Sequence, residues 1–326
     1  MNREFKIIKL DLDLVGNLRE AIGQLFIILS ILFFGDLLLL LSRKFSNFLT
    51  NFWVIFIILL LFFILGYVYK WNLLIIAGIL LAPIWWGFHS SAWIENKRIN
   101  FNSVYSGLML ILIIYYLFGR LHEVSKRWKS VGSIYTMFSI LFLFCILFLF
   151  STQSGLYFFE KKSWEGILLF NSSPFLFLIC FFLLSLILFY MVIRTKRNLI
   201  NIELFFLYFL FIFSSIFNFI LPSNLMENYT PTKIGIIWLI FFNILCFLYL
   251  IWLLIVGYFR KDENFVNIGV FFMFVFIITK YFSFFKFLNK SIFFFIGGIV
   301  FFVIGYLLEK GRRTYLKKLG EGKDEK

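Results

Sequence analysis

Long, unbroken apolar runs separated by short polar segments dominate the chain, and they determine which solvent it folds in. About ten such windows follow one another, each near the length that a helix needs to cross a hydrocarbon core of about 30 Å. Because the runs are continuously apolar rather than alternating, they predict helices and not the strands of a membrane barrel. The windows lie at 21–42, 52–69, 72–92, 103–119, 132–151, 174–193, 203–221, 234–258, 264–281 and 291–308.

The composition agrees with a membrane as the solvent. Hydrophobic residues make up 62% of the 326 residues and charged residues only 15%, whereas soluble chains contain about 45–50% and about 25%. A water-soluble fold has too little interior to bury that excess. We therefore predict an all-α polytopic transmembrane helix bundle of about ten spans, and we exclude disulfide-rich, disordered, collagenous and nucleic-acid-binding classes.

The basic residues predict the orientation of this bundle. The chain carries 31 Lys and Arg against 17 Asp and Glu, a net charge of +14. If the N-terminus is cytoplasmic, about two thirds of the basic residues fall in inner segments, which is the bias that cytoplasmic loops show. This arrangement predicts a short cytoplasmic lead over 1–20, one transmembrane domain over 21–308 and a basic cytoplasmic tail over 309–326.

An acidic residue in the first window is a candidate functional group. A charge at the centre of a bilayer costs about 2.5–3.5 kcal/mol on insertion scales, so such residues are functional hypotheses by default. Asp36 is the acidic residue that lies away from every window edge. It could bind a cation, a proton or a substrate. Alternatively, its carboxylate turns toward the outer headgroups and Arg43, which lies on the same helical face.

Two asparagines at bilayer depth are the other candidate site residues. Asn218 lies in the seventh window, one turn after Ser214 and Ser215, and Asn243 lies in the eighth. Both amides could line a substrate path. The alternative is interhelical hydrogen bonding, which contributes about 0.6–2 kcal/mol in membranes.

The two histidines give no support for a metal site. His89 ends the third window beside Trp85 and Trp86, which favours an interfacial aromatic belt. His122 lies in a basic inner loop and is expected to be solvated. Metal ligation requires His, Cys or carboxylate partners at short spacing, and neither histidine has them. No catalytic motif, metal or cofactor is predicted.

The C-terminal region resembles a known family. The segments carrying the likeness are 265–272 (FVNIGVFF), 278–285 (ITKYFSFF), 291–298 (SIFFFIGG) and 305–313 (GYLLEKGRR), with a weaker likeness around 42–47 (SRKFSN). Their order resembles the bacterial predicted-membrane-protein family called domain of unknown function 2157. This resemblance implies a multi-pass protein of a bacterial inner membrane, and it implies no catalytic residues.

Two functions fit these observations. The first is a non-enzymatic membrane protein that transports or lets through a small solute, using Asp36, Asn218 and Asn243. The second is an integral-membrane transferase acting on lipid-linked substrates, with Asp36, Arg43 and Lys44 at one interface. The weakness of the first function is that transporters commonly show helices broken by Gly or Pro in matching halves, whereas this chain has only four Pro and no internal repeat is visible in its sequence. The expected partners are the lipid bilayer and, at the basic tail, anionic headgroups.

Overall fold

The computed structural model describes residues 18–44, 51–95, 101–156, 173–195, 200–220, 225–227 and 230–284, together with scattered positions between 298 and 314. Most of the predicted lead over 1–20 and of the tail over 309–326 lies outside these residues.

Nine long helices form the described part of the chain, and they coincide with the first nine apolar windows. They are α1 (Leu18–Lys44), α2 (Asn51–Tyr69), α3 (Asn72–Glu95), α4 (Phe101–His122), α5 (Lys129–Phe150), α6 (Ser173–Arg194), α7 (Ile200–Ile220), α8 (Lys233–Arg260) and α9 (Glu263–Phe284). A helix satisfies every backbone polar group within its own segment, which an apolar solvent demands. A 3₁₀ turn at Lys126–Trp128 and a pair of two-residue antiparallel strands, Met226–Glu227 and Thr230–Pro231, complete the described elements.

The all-helical class is confirmed, and seven of the described helices are long and apolar enough to cross a membrane. Two further helices contain shorter apolar stretches, Trp53–Tyr69 and Asn201–Ile216. In the tenth window, 291–308, the few described positions are helical. Many large apolar side chains are exposed on these helices, as Phe33 and Phe205 are, and lipid is the solvent that such surfaces require.

The chain divides into two compact units. Unit 1 comprises Met1–Phe142, Lys161–Arg197 and Phe211–Ile220. Unit 2 comprises Leu143–Glu160, Asn198–Leu210 and Leu221–Lys326. Helices α5 and α7 therefore contribute one part to each unit.

Helix α4 is the centre of unit 1. Its residues are buried on nearly every face, with Tyr105 and Tyr116 among the largest side chains removed from solvent, and it packs against α3 and α6. Its start approaches α3 closely, because a Cβ on Gly107 would overlap the Trp86 ring. The Trp86 indole nitrogen donates a hydrogen bond to the Val104 carbonyl at 2.8 Å.

The turn between α2 and α3 has a helix-ending geometry that is common in proteins. Lys70 adopts a positive φ of 58°, and the Trp71 amide donates to the Gly66 carbonyl at 3.0 Å. A left-handed residue followed by this six-to-one hydrogen bond satisfies carbonyls that the helix end leaves free. Helix α3 then begins at once, so α2 and α3 form a tight hairpin within unit 1.

The turn between α8 and α9, in unit 2, has the same geometry. Lys261 has a φ of 55°, and the Asp262 amide donates to the Gly257 carbonyl at 3.1 Å. In both turns the glycine stands four residues before the lysine, and the next helix begins two residues after it. The two hairpins therefore share one turn design.

The helices also approach each other closely at corresponding glycines in the two hairpins. A Cβ on Gly66 would lie 2.7 Å from Ile75 Cγ1 and 3.1 Å from its amide nitrogen. A Cβ on Gly257 would lie 2.9 Å from both Val266 Cγ2 and the Val266 amide nitrogen. A second glycine one helix later, Gly78 or Gly269, makes the next close approach in each hairpin.

We call the similar pair of hairpins, α2–α3 and α8–α9, the internal repeat of this chain. Both hairpins carry the pattern Gly-Tyr-x-x-Lys followed by seven residues and a second Gly, at 66–78 and at 257–269. Positions that match in this alignment are also buried alike. The buried pairs are Val54 and Leu245, Ile58 and Tyr249, Phe62 and Leu253, Leu74 and Phe265, Ile75 and Val266, and Trp85 and Phe276.

Candidate functional site

The polar groups at bilayer depth identify the candidate site, and the three predicted site residues differ in what surrounds them. Asp36 lies on α1 with its side chain exposed, while the adjacent Gly35 faces Ile58 on α2. Among the side chains that the structure describes, none pairs with Asp36.

Asn218 lies near the end of α7, where the side chains fall outside the described residues. The serines one turn earlier are described, and they bond to α4 in unit 1. Tyr105 donates to Ser214 Oγ at 2.8 Å, and Ser106 Oγ lies 3.2 Å from Ser215 Oγ. These contacts fit the interhelical hydrogen bonding that is the usual role of hydroxyl groups in membranes.

Asn243, the third predicted residue, belongs to a polar cluster inside unit 2. Its Nδ2 donates to the Leu239 carbonyl at 2.7 Å and to the Ser151 carbonyl at 3.2 Å. These two bonds use both hydrogens of the amide nitrogen. Asn243 Oδ1 is buried and has no hydrogen-bond partner in the described part of the chain.

The same serine binds a lysine from another helix. Lys280 of α9 donates from Nζ to the Ser151 carbonyl at 2.6 Å and lies 2.9 Å from Ser151 Oγ. The ammonium group also lies over the rings of Phe148 and Phe276, 5.8 Å and 5.4 Å from their centroids. Cation–π contacts of this kind gain strength when the cation leaves water.

Ser151 can accept these bonds because it immediately follows α5. Its amide donates to the Leu147 carbonyl at 3.0 Å and its hydroxyl to the Phe148 carbonyl at 2.7 Å, while its own carbonyl accepts from the side chains of Asn243 and Lys280. The C-terminus of a helix carries a partial negative charge, which favours a cation. Part of the local structure around Lys280 is therefore explained as capping of α5.

Capping leaves the charge of Lys280 without a counter-ion. Lys280 lies inside the candidate span Glu263–Ser283, and no carboxylate pairs with it among the described residues. An ammonium group has three N–H donors, and Ser151 accepts two of them. One donor of Lys280 and the acceptor Oδ1 of Asn243 therefore remain without a hydrogen-bond partner among the described residues, and both side chains meet at the Ser151 carbonyl.

The direction of the lysine side chain argues against simple snorkelling. Lys280 lies close to the C-terminal end of its span, where a long basic side chain can reach the nearer interface. Its Nζ instead lies over Phe276, one turn back toward the middle of the helix. Side chains on helices lean toward the N-terminus, so α9 directs this cation into the span.

The internal repeat assigns a counterpart to this lysine. In the alignment of the two hairpins, Lys280 matches His89, and Phe276 matches Trp85. His89 is buried in unit 1, with its ring stacked on Trp85 at a centroid distance of 5.4 Å. The rings of Trp53 and Phe177 lie 6.0 Å and 5.8 Å away, so His89 is packed among aromatic rings.

His122 was expected to be solvated, but both of its ring nitrogens lie within hydrogen-bond distance of other protein atoms. Its Nε2 lies 3.1 Å from the Tyr67 hydroxyl, and its Nδ1 lies 2.7 Å from the Phe118 carbonyl. The Tyr67 hydroxyl is also 3.3 Å from that of Tyr135. This chain of hydrogen bonds joins α2, α4 and α5 within unit 1, so His122 contributes to helix packing.

Sequence reasoning identified Asn243 and missed Lys280 and Ser151. Counting basic residues by side treats Lys280 as an outer anchor, although it is the basic residue inside the window 264–281. A search for basic residues inside the apolar windows, like the search for acidic residues that selected Asp36, would have identified Lys280. Ser151 carries no comparable signal, since its role depends on a backbone carbonyl at a helix end.

Comparisons with known proteins add no relative: no protein-family model, curated protein or solved structure matches this chain. The resemblance to domain of unknown function 2157 remains a prediction.

Proposed function

We propose that this chain is a multi-pass protein of a bacterial inner membrane that transports or lets through a small solute. The observation that carries this proposal is the cluster of Lys280, Asn243 and Ser151 inside unit 2. A cation without a counter-ion and an unpaired amide oxygen are costly in an apolar solvent. Ionisable groups within membrane spans commonly mark substrate or ion pathways.

The internal repeat supports the same proposal. Many transporters are built from repeated helical units. The two hairpins, α2–α3 and α8–α9, give this chain that kind of construction. The transferase alternative has no comparable support, because Asp36, its central residue, is exposed and pairs with no described side chain.

The proposed topology is ten spans with both termini in the cytoplasm and with the basic tail 309–326 near anionic headgroups. An even number of predicted windows separates the two hairpins, so their turns at Lys70 and Lys261 fall on one side of the membrane. That side is cytoplasmic by the distribution of basic residues. Reporter fusions active only outside should be silent after Lys326 and active within 222–233; the opposite pattern contradicts this topology.

Flux through proteoliposomes tests the transport function. The purified protein is reconstituted, and swelling is followed by light scattering in a panel of small solutes that includes glycerol, glycine, glycolate and acetate. We expect at least one solute to enter faster than in protein-free liposomes. Lys280→Met, which keeps the length of the side chain and removes its charge, should reduce that entry at least tenfold.

Lys129→Met is the matched control, because Lys129 is an exposed lysine at the start of α5. It should leave the flux unchanged. The proposal is contradicted if no solute of the panel enters faster than in protein-free liposomes, or if Lys280→Met and Lys129→Met transport equally well.

A further inference from the structure

The polar cluster of unit 2 restricts the chemistry of its ligand, starting with charge. Lys280 supplies one positive charge, its hydrogen-bond partners Ser151 and the Phe148 and Phe276 rings are all neutral, and no carboxylate of the described residues pairs with it. A buried cation is stable when an anion pairs with it. A ligand with one negative charge neutralises the site, whereas a dianion would leave an excess charge in an apolar surround.

The second restriction comes from Asn243. Both hydrogens of its amide nitrogen are committed to the carbonyls of Leu239 and Ser151, which leaves Oδ1 as an acceptor without a donor. A ligand that occupies the cluster must therefore donate a hydrogen bond, or Asn243 Oδ1 stays unsatisfied. Anions that only accept hydrogen bonds fit the charge of Lys280 but not this oxygen.

The two restrictions apply to one small molecule. Lys280 Nζ and Asn243 Nδ2 donate to the same Ser151 oxygen, so the two side chains meet at one carbonyl. A ligand reaches both when its charge and its donor are separated by only a few bonds. The aromatic rings of Phe148 and Phe276 lie beside the ammonium group, so the surface next to the lysine is apolar.

We infer that the cluster binds a small monoanion that carries its own hydrogen-bond donor, of which a hydroxycarboxylate is the simplest form. The anionic oxygens accept from Lys280, and the hydroxyl donates to Asn243 Oδ1. This inference gives the substrate class for the proposed transport function and depends on it for the role of the site, but binding can be measured without transport.

A matched pair of probes tests the inference. Glycolate carries a hydroxyl group, and fluoroacetate replaces that group with a fluorine of similar size that cannot donate. Binding of each is measured by calorimetry on the purified protein in phosphatidylcholine nanodiscs. We expect glycolate to bind at least tenfold more tightly, because a site built around a substrate hydroxyl discriminates strongly against its absence. Equal binding of the two probes, or binding of neither, overturns the inference.

Substitutions in the cluster test which residues cause the preference for glycolate over fluoroacetate. Lys280→Met should abolish binding of both probes, whereas Asn243→Leu should bring the ratio of their affinities to about one. Asn243→Asp keeps the shape of the side chain and gives Lys280 its own carboxylate, so glycolate binding should be lost from a protein that still folds. Lys129→Met should bind like the original chain, and retention of glycolate by Asn243→Asp contradicts the assignment.

Two further arms separate the ligand from its alternatives. A phosphatidylglycerol headgroup has the same chemistry, an anion with hydroxyl groups, so glycolate binding is repeated in discs containing that lipid. If glycolate binding is unchanged in these discs, the ligand is a soluble anion. If phosphatidylglycerol competes with glycolate and weakens its binding, the ligand is a lipid headgroup and the inference of a soluble ligand is wrong. Glycolate binding without glycolate flux in liposomes keeps the site and refutes transport, while flux without the glycolate preference keeps transport and refutes the ligand class.

Discussion

His89 and Lys280 occupy the same position in two copies of one helical hairpin, but their surroundings differ in kind. The histidine ring lies among Trp53, Trp85 and Phe177, which are groups that pack. The lysine ammonium lies against a carbonyl and a hydroxyl of Ser151, which are groups that accept hydrogen bonds. The repeat thus provides one frame in both units, and the surrounding side chains decide whether the basic residue is part of the core or of a polar site.

This difference separates the features that the two hairpins share from the position at which they differ. The turn, the glycines that allow close helix approach and the buried face correspond in α2–α3 and α8–α9, because backbone geometry demands them. The residue one turn after the buried Trp85 or Phe276 has no such constraint. The shared frame and the differing position can therefore be tested separately.

The largest effect is expected at the hairpin glycines. Gly66→Ala and Gly257→Ala each place a methyl group within about 3 Å of Ile75 or Val266, including their backbone amides. Overpacking of this kind costs about 1–3 kcal/mol. Gly87→Ala is the control, because a Cβ there meets nothing within 4 Å. Thermal unfolding in detergent should place both hairpin variants below the control by a similar amount.

A clear loss at one hairpin glycine and none at the other would show that the two frames are not equivalent. The comparison of His89 with Lys280 would then lose its basis, since it depends on matching the two hairpins residue by residue.

A second prediction exchanges the residue types at the differing position. Lys280→His places in unit 2 the residue that unit 1 carries there. An imidazole is cationic in acid and mostly neutral at pH 7, whereas a lysine keeps its charge to higher pH. Glycolate binding to Lys280→His should therefore be present at pH 5 and weaker by about fourfold at pH 7, while the original chain changes less between these two pH values. Calorimetry at the two pH values measures this difference, and a flat profile for the variant contradicts a role for the charge.

The apolar windows predicted the nine long helices because membrane helices depend on composition and length, which need no tertiary information. Asn243 was predicted for a related reason, since a polar amide stands out within an apolar run. Lys280 and Ser151 were not, because they lie 129 residues apart in the chain and only folding brings them together. The repeat was missed because the matching residues are few and lie in a background where most side chains are interchangeable apolar groups.

A smaller effect is expected for Ser151→Ala. The substitution removes the hydroxyl that lies 2.9 Å from Lys280 Nζ and keeps the carbonyl that accepts at 2.6 Å. Side-chain hydrogen bonds in membranes contribute about 0.6 kcal/mol on average, so glycolate affinity should fall by a factor of about three. A loss as large as that of Lys280→Met would mean that the hydroxyl itself, rather than the lysine, holds the ligand.

The smallest effect is expected at the counterpart in unit 1. His89→Phe keeps an aromatic ring against Trp85, Trp53 and Phe177, and it removes the two ring nitrogens together with any hydrogen bond that they make. The loss of one ordinary hydrogen bond costs about 1 kcal/mol, so the melting temperature should fall only slightly. Glycolate binding and solute flux should not change, because the rings around His89 offer neither an ammonium donor nor a free amide oxygen. If His89→Phe abolishes flux while Lys280→Met preserves it, the two hairpins have the opposite roles, and the site lies in unit 1.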